Sequence, residues 1–176
     1  MRFTSTAIEN QPAMWPLTLI NICLLRANPQ DLPVSTSLTV FALMVYYAAD
    51  VATAAANVPS LNAFQAAAVD TFLLIALVHG VLNYRGFQIR ARQTLIALAG
   101  TGALLSLLTL AVAALLPDDV PSAYPWLLSV AWLFAVYGWV LRHAFGVSYL
   151  SGVMAAGTYF FVSLLATAPF LVMPQT

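Results

Sequence analysis

The sequence predicts an all-α fold, an integral membrane helical bundle with five transmembrane helices preceded by an N-terminal interfacial amphipathic helix. Of its 176 residues, 62% are hydrophobic and 7% are charged, whereas about 25% of the residues of a soluble domain are charged. The apolar residues gather in long runs separated by short polar breaks. Five runs are long enough to cross a bilayer, which takes about 20 residues. The breaks leave no room for a soluble domain.

The charge and cysteine content excludes several classes of function. The formal net charge is zero and all six basic residues are arginine, so the chain lacks the basic surface that binds nucleic acid. Cys23 is the single cysteine, whereas an intrachain disulfide or a cysteine-based metal cluster needs more than one thiol. We therefore expect no nucleic acid partner and a structural role for Cys23.

Residues 1–33 are expected to form a cytoplasmic N-terminus with an interfacial helix and a proline elbow. The segment from Met1 to Gln11 is polar and lacks the pattern of a cleavable signal. The apolar run from Met14 to Arg26 is too short to span a bilayer. We expect it to lie along the membrane surface, with a re-entrant position as the alternative. In the elbow that follows, Asp31 is placed to cap the next helix.

Residues 34–176 are expected to form the five-helix transmembrane domain. The predicted membrane segments are residues 34–56, 61–83, 94–116, 124–141 and 149–173. At about 1.5 Å per residue each reaches across a bilayer, the fourth barely so. The breaks between them contain the proline, glycine and asparagine residues typical of turns. An odd number of crossings places the two termini on opposite sides of the membrane.

The arginines predict the orientation, because basic residues in short loops stay on the cytoplasmic side. With five crossings all six fall on one face: Arg2, Arg26, Arg85, Arg90, Arg92 and Arg142. The other face receives a neutral turn and the acidic pair Asp118 and Asp119. We therefore expect a multi-pass protein of the cell inner membrane, with its N-terminus in the cytoplasm and its C-terminus periplasmic or extracellular.

Two carboxylates fall inside predicted membrane segments, where a charge is costly. Asp50 lies about two turns from the outer end of the first segment, and Asp70 about two and a half turns into the second. Both are therefore expected in the outer to middle part of the membrane. With their polar neighbours they form the set of candidate intramembrane site residues, which comprises Tyr46, Tyr47, Asp50, Asn57, Asn62 and Asp70.

Three roles are open for the two acids. They could be hydrogen-bonded polar residues that hold the first two helices in register, a relay for protons or a cation, or a partner-binding site within the membrane. We favour the structural role, because the sequence shows neither the internal repeat nor the broken helices common around transporter sites.

No cofactor, metal site or catalytic residue is predicted. His79 and His143 on different helices could ligate a b-type haem, but His143 beside Arg142 fits an interfacial residue and His79 falls on the helix face opposite Asp70. The sequence contains no hydrolase, metalloprotease or phosphate-binding motif. We therefore expect a protein that is not an enzyme.

Small residues four apart predict where the membrane helices approach one another closely. The pairs are Ala99 with Ala103, Gly102 with Ser106, and Gly152 with Ala156. We expect these faces to close the bundle, and they would also suit association with another membrane protein.

An interfacial helix followed by five spans, together with the segment Leu24-Leu-Arg-Ala-Asn-Pro-Gln-Asp-Leu-Pro-Val-Ser35, resembles the Yip family of membrane proteins. The Asp-Leu-Tyr-Gly-Pro element of its eukaryotic members is absent. The resemblance implies a small scaffold or accessory protein and transfers no catalytic residue.

Two functions follow as expectations. The favoured one is a non-enzymatic accessory or interaction protein, whose partners are the lipid bilayer and either another membrane protein or a second copy of itself. The alternative is a small proton- or cation-coupled transporter that uses Asp50 and Asp70. The sequence identifies no soluble substrate.

Overall fold

The computed structural model describes residues 14–56, 58–116 and 123–171, and these ranges are all helical apart from short connections. The helices are α1 (Trp15–Cys23), α2 (Thr36–Ala55), α3 (Ser60–Tyr84), α4 (Ala91–Leu115), α5 (Ala123–Phe145) and α6 (Tyr149–Leu171). Two 3-10 turns, Pro29–Asp31 and Gln88–Arg90, precede α2 and α4. Helices α2 to α6 are each long and apolar enough to cross a membrane. The predicted fold class is confirmed, while the interfacial placement of α1 stays a prediction.

The start of α2 differs from the sequence prediction. Ser35 is the N-cap, and its Oγ accepts a hydrogen bond from the Leu38 N–H at 3.3 Å. The assignment of this role to Asp31 was wrong, because Asp31 Oδ2 accepts instead from the Asn28 N–H at 2.9 Å within its own 3-10 turn. Asp31 therefore stabilises the elbow, and a serine four residues later begins the helix.

The fourth membrane segment is longer than predicted. Helix α5 has 23 residues and continues to Phe145, whereas the sequence predicted an end at Leu141. Arg142 and His143 lie in the last turn, where positive charge interacts favourably with the helix dipole. The chain leaves the helix at Gly146, whose φ of 65° is accessible at little cost to glycine. This helix is therefore fully long enough to span a bilayer.

The five long helices form a closed ring, and each packs against two neighbours. The order around the ring is α2, α3, α6, α5 and α4, which returns to α2. Since successive helices run in opposite directions, the loops between α3 and α4 and between α5 and α6 lie at one end. We call this the basic end, because it carries Arg85, Arg90, Arg92 and Arg142. The other end of the ring is called the opposite end.

The interior of the ring near the basic end is a solid apolar layer. Its fully buried side chains come from α3, α4 and α5: Leu74, Val78, Leu82, Ile96, Leu98, Val136, Val140 and Leu141. Close packing of this kind leaves no space for water. The basic half of the bundle is therefore sealed.

The predicted small-residue faces lie within the bundle. A Cβ atom at Gly152 would meet the carbonyl oxygen of Gly138, so α5 and α6 approach backbone to backbone. Ala99, Ala103 and Ala156 are also buried. These positions bring the helices together as predicted, and they are occupied by contacts inside one chain.

Helix α1 packs against α4 and α5 outside the ring. Leu19 and Ile22 are buried, and a Cβ atom at Gly100 would lie 2.8 Å from Leu19 Cδ1. The elbow that follows is held by two indole N–H groups of α5. Trp132 donates to the Cys23 carbonyl and Trp139 to the Ala27 carbonyl, each at 3.0 Å. The N-terminal segment is thus fixed to the bundle by both apolar packing and hydrogen bonds.

Candidate functional site

A cavity of about 460 Å³ lies between the five long helices. Its lining includes Val58 in the connection between α2 and α3, Trp126 near the start of α5 and Leu171 at the end of α6, all of which belong to the opposite end. Its deepest lining residues, Gly102 and Tyr137, lie near the middle of their helices. The cavity therefore extends from the opposite end to about half the depth of the bundle, where the apolar layer begins.

Asp70 on α3 is the centre of a hydrogen-bond network inside this cavity. Tyr46 on α2 donates its hydroxyl proton to Asp70 Oδ2 at 2.5 Å. From α6, the Tyr159 hydroxyl lies 3.0 Å from both carboxylate oxygens and the Ser163 hydroxyl donates to Oδ1. Three donors from two neighbouring helices thus converge on one carboxylate, which joins α2, α3 and α6.

The tyrosines of the network are positioned by a glycine on α4. A Cβ atom at Gly102 would lie 2.5 Å from the Tyr137 hydroxyl and 2.7 Å from Tyr46 Cε2. Tyr137 in turn donates to the Leu98 carbonyl at 3.1 Å. Only glycine leaves room here for both rings, so Gly102 determines where the hydroxyl of Tyr46 meets Asp70.

Asp50 on α2 lines the same cavity but is bonded differently. Its side chain is half-buried and lies close enough to Asp70 and Tyr46 to interact with them electrostatically. Among the hydrogen bonds of the described residues, none reaches its carboxylate; only its backbone carbonyl accepts, from Thr53 Oγ1 at 2.9 Å. Asp70 is therefore held by three donors from α2 and α6, whereas the Asp50 carboxylate lies beside Asp70 and Tyr46, is less constrained by the described residues and faces the cavity.

The electrostatic character of the cavity is acidic. Among the described residues that line it, Asp50 and Asp70 are the only carboxyl groups, and none is an arginine, lysine or histidine. A carboxylate removed from water without a cationic partner is unfavourable. Such a pair can be relieved by taking up a proton or by binding a positively charged ligand. Within the part of the chain that the structure describes, no group of three or more metal-ligating side chains is found.

The predicted site residues separate into two groups. Tyr46, Asp50 and Asp70 meet in the cavity. Tyr47 donates instead to the Phe64 carbonyl at 3.3 Å, and Asn62 donates to the Phe170 carbonyl at 3.0 Å. Neither belongs to the cavity lining, and their contacts join α2 to α3 and α3 to α6. Asn57 lies outside the described residues.

Several residues of the site were missed at the sequence level. Tyr159 and Ser163 on α6 and Tyr137 on α5 are central to the network, yet none was predicted. A periodic pattern was present, because Tyr159, Ser163 and Thr167 recur every four residues and so share one helix face. All three line the cavity.

The two histidines do not converge. His79 is exposed on α3, whereas His143 on α5 bonds through Nδ1 to the Trp139 carbonyl at 2.8 Å. Neither lines the cavity.

Comparisons with protein-family models, with curated proteins and with solved structures find no match to this chain. The function is therefore argued from the geometry of the site.

Proposed function

We propose that this protein is a small membrane transporter in which protons or a cation pass through the cavity that contains Asp50 and Asp70. The observation that supports this proposal is the meeting of both carboxylates in one cavity that reaches the opposite end of the bundle. A buried acid used only to join helices needs protein donors and no access from outside. Asp70 has three such donors, whereas no aligned hydrogen bond from the described residues reaches the Asp50 carboxylate.

The two acids have different roles in such a site. Asp70 is held by Tyr46, Tyr159 and Ser163, so its position is fixed. Asp50 is the acid that exchanges a proton or cation with the cavity, because fewer contacts with the described residues constrain its carboxylate. Because Asp70 is held in place next to Asp50, a proton or cation bound at Asp50 interacts electrostatically with the Asp70 carboxyl group.

The proposal includes an orientation. By the positive-inside rule the basic end faces the cytoplasm, so the cavity opens to the periplasmic or extracellular side of a cell inner membrane. The N-terminus is then cytoplasmic and the C-terminus is on the outer side.

Transport requires a second conformation. The apolar layer around Leu74, Val78 and Val136 separates the acids from the basic end. In the conformation of the structure, ions reach Asp50 from the opposite end and not from the basic end. A rearrangement that opens the apolar layer and closes the cavity at the opposite end would complete the cycle of alternating access.

A non-enzymatic accessory or scaffold role is the second proposal, and it rests on the resemblance to the Yip family. The segment that carries the resemblance, Leu24 to Ser35, forms an ordered surface at the basic end. Gln30 Nε2 donates to the His143 carbonyl at 3.3 Å, and Gln93 Nε2 donates to the Leu32 carbonyl at 2.7 Å. A membrane-protein partner or a second copy would meet this surface, whereas the buried small-residue faces have no free area for it.

Reconstitution into liposomes with a pH-sensitive dye in the lumen tests transport. We expect the wild-type protein to carry protons or a cation down an imposed gradient, and Asp50→Asn to reduce this flux at least about tenfold because the exchangeable acid is lost. Asp31→Asn, which changes an exposed carboxylate of the elbow, serves as the matched control.

Gel filtration and thermal unfolding report whether each variant is folded. Flux that is unchanged in folded Asp50→Asn would contradict the transport proposal. No flux in the wild type, together with a membrane protein that co-purifies with it, would support the accessory role instead.

A further inference from the structure

We propose that the cavity binds an organic monocation with an apolar body, a lipophilic amine, whose ammonium group pairs with Asp50 while its body lies against the apolar walls of the cavity. This inference rests on the proposed function, since it names the class of cation that the transport site accepts.

The cavity has the size and surface of a ligand site. Pockets for small organic molecules enclose about 300–1,000 Å³ and combine apolar walls with a few convergent polar groups, and the cavity here measures about 460 Å³. A proton or a bare metal ion needs no such volume. The space is therefore suited to an organic molecule.

The lining combines polar and apolar side chains. Asp70 and the three tyrosines lie near the middle of their helices, and Asp50 lies about one turn from Tyr46 toward the opposite end. Large apolar side chains form much of the remaining wall, namely Leu105, Val130, Leu133, Phe160, Leu164 and Leu171, and hydroxyl side chains such as Thr109 and Ser129 lie among them. A ligand that fills this space presents a polar head group to the acids and an apolar body to these walls.

The sign of the head group follows from the two carboxylates. Among the described residues, no cationic side chain lines the cavity to receive an anion. No aligned hydrogen bond from these residues reaches the Asp50 carboxylate, which lies beside Asp70 and faces the cavity, and an ammonium group offers three donors. Charge-assisted hydrogen bonds of this kind are about twice as strong as neutral ones. An amine head therefore gains more at Asp50 than a hydroxyl of the same size.

A dehydrated divalent ion is less well matched. Ca²⁺ takes six to eight oxygen ligands and Mg²⁺ near-ideal octahedral geometry. The Asp70 oxygens already accept from three protein hydroxyls, and among the described residues no cluster of three metal-ligating side chains occurs. One free carboxylate fits a single positive charge.

The binding of three probe molecules that share the same apolar body tests the inference. The probes are 4-phenylbutylamine, 4-phenylbutan-1-ol and 4-phenylbutyrate, which differ only in the head group. Radiolabelled amine is bound to the purified full chain in detergent, and the other two compete for it. We expect saturable amine binding, competition by the alcohol at least about tenfold weaker, which is about 1.4 kcal/mol, and no competition by the carboxylate.

Variants of Asp50 test whether the amine binds at the Asp50 carboxylate. Asp50→Asn should weaken amine binding at least about tenfold, whereas Asp50→Glu, which keeps the charge, should retain most of it. Asp31→Asn should bind as the wild type does. Equal affinity for amine and alcohol, or unchanged amine binding in Asp50→Asn, would overturn the inference.

The failure of this inference is distinguishable from the failure of transport. If Asp50 is needed for proton or cation flux but no amine binds, the ligand class is wrong and the transport proposal stands. If the amine binds in an Asp50-dependent way and the liposomes show no flux, the site is supported and transport is overturned.

Discussion

At the scale of single residues, Asp50 and Asp70 have the same chemistry and different surroundings. That both acids lie within helices long enough to span a membrane could be predicted from the sequence, because the apolar runs around them determine these helices. Their partners could not be predicted. Tyr159 lies 89 residues from Asp70 along the chain, and its contact with Asp70 depends on α6 lying next to α3. The sequence pattern does not show this neighbour relation.

The difference between the two acids predicts their effects on stability. Asp70→Ala removes the acceptor of Tyr46, Tyr159 and Ser163, and each buried hydroxyl left unpaired costs about 1–3 kcal/mol, non-additively. We expect Asp70→Ala to lower the free energy of unfolding by about 3 kcal/mol or more. Asp50→Ala should cost much less, because no protein donor loses its partner. Thermal and denaturant unfolding of the purified variants measures both, and equal losses would show that Asp50 also has a structural role.

At the scale of helices, the sequence predicted the lengths well and the ends less well. Apolar runs determine the five spans, because in lipid each backbone group must be paired within a helix. The ends depend on local hydrogen bonds. The prediction placed the end of α5 at its first charged residue, but Arg142 and His143 form part of its last turn. Positively charged residues near a helix C-terminus stabilise its last turn, so they need not mark its end.

The contact between α5 and α6 yields a prediction for one glycine with a matched control. A methyl group at Gly152 would overlap the Gly138 carbonyl, whereas one at Gly80 would meet nothing within 4 Å. We expect Gly152→Ala to separate the two helices and lower the free energy of unfolding by about 1–3 kcal/mol. Gly80→Ala should be neutral or slightly stabilising, because alanine favours helix. Thermal unfolding in detergent compares the two, and similar melting temperatures would indicate that α5 and α6 pack less closely.

The packing of α1 against the bundle can be tested through the reactivity of its cysteine, Cys23. Burial raises the pKa of the Cys23 thiol from an ordinary value of 9.0 to about 11. Since the thiolate is the reactive form, we expect maleimide at pH 8 to react about 100-fold more slowly than with an unperturbed thiol. The rate should rise about tenfold per pH unit up to about pH 11. The chain unfolded in sodium dodecyl sulfate is the control, and fast labelling of the folded protein at pH 8 would mean that α1 leaves the bundle.

At the scale of the whole molecule, the size of the side chains that face the interior of the ring explains why the cavity lies toward the opposite end. Toward the basic end the facing positions of α3, α4 and α5 carry large apolar side chains such as Leu74, Leu98 and Val140. Toward the opposite end the facing positions are smaller or polar, as at Ser106, Thr109 and Ser129. Small side chains in a ring of five helices leave unfilled space. The sequence shows both kinds of residue, but which of them face inward follows only from the packed ring.

This asymmetry predicts one-sided access to the cavity. Ser129 lines the cavity, and Ser151 is exposed in the first turn of α6 at the basic end. We introduce Ser129→Cys or Ser151→Cys with Cys23→Ser and add a membrane-impermeant methanethiosulfonate reagent to oriented vesicles. If the basic end faces the cytoplasm, as we propose from the positive-inside rule, Ser129→Cys should react in right-side-out vesicles and Ser151→Cys in inside-out vesicles. The reverse pattern would overturn the orientation, and no reaction of Ser129→Cys from either side would show that the cavity is closed to water.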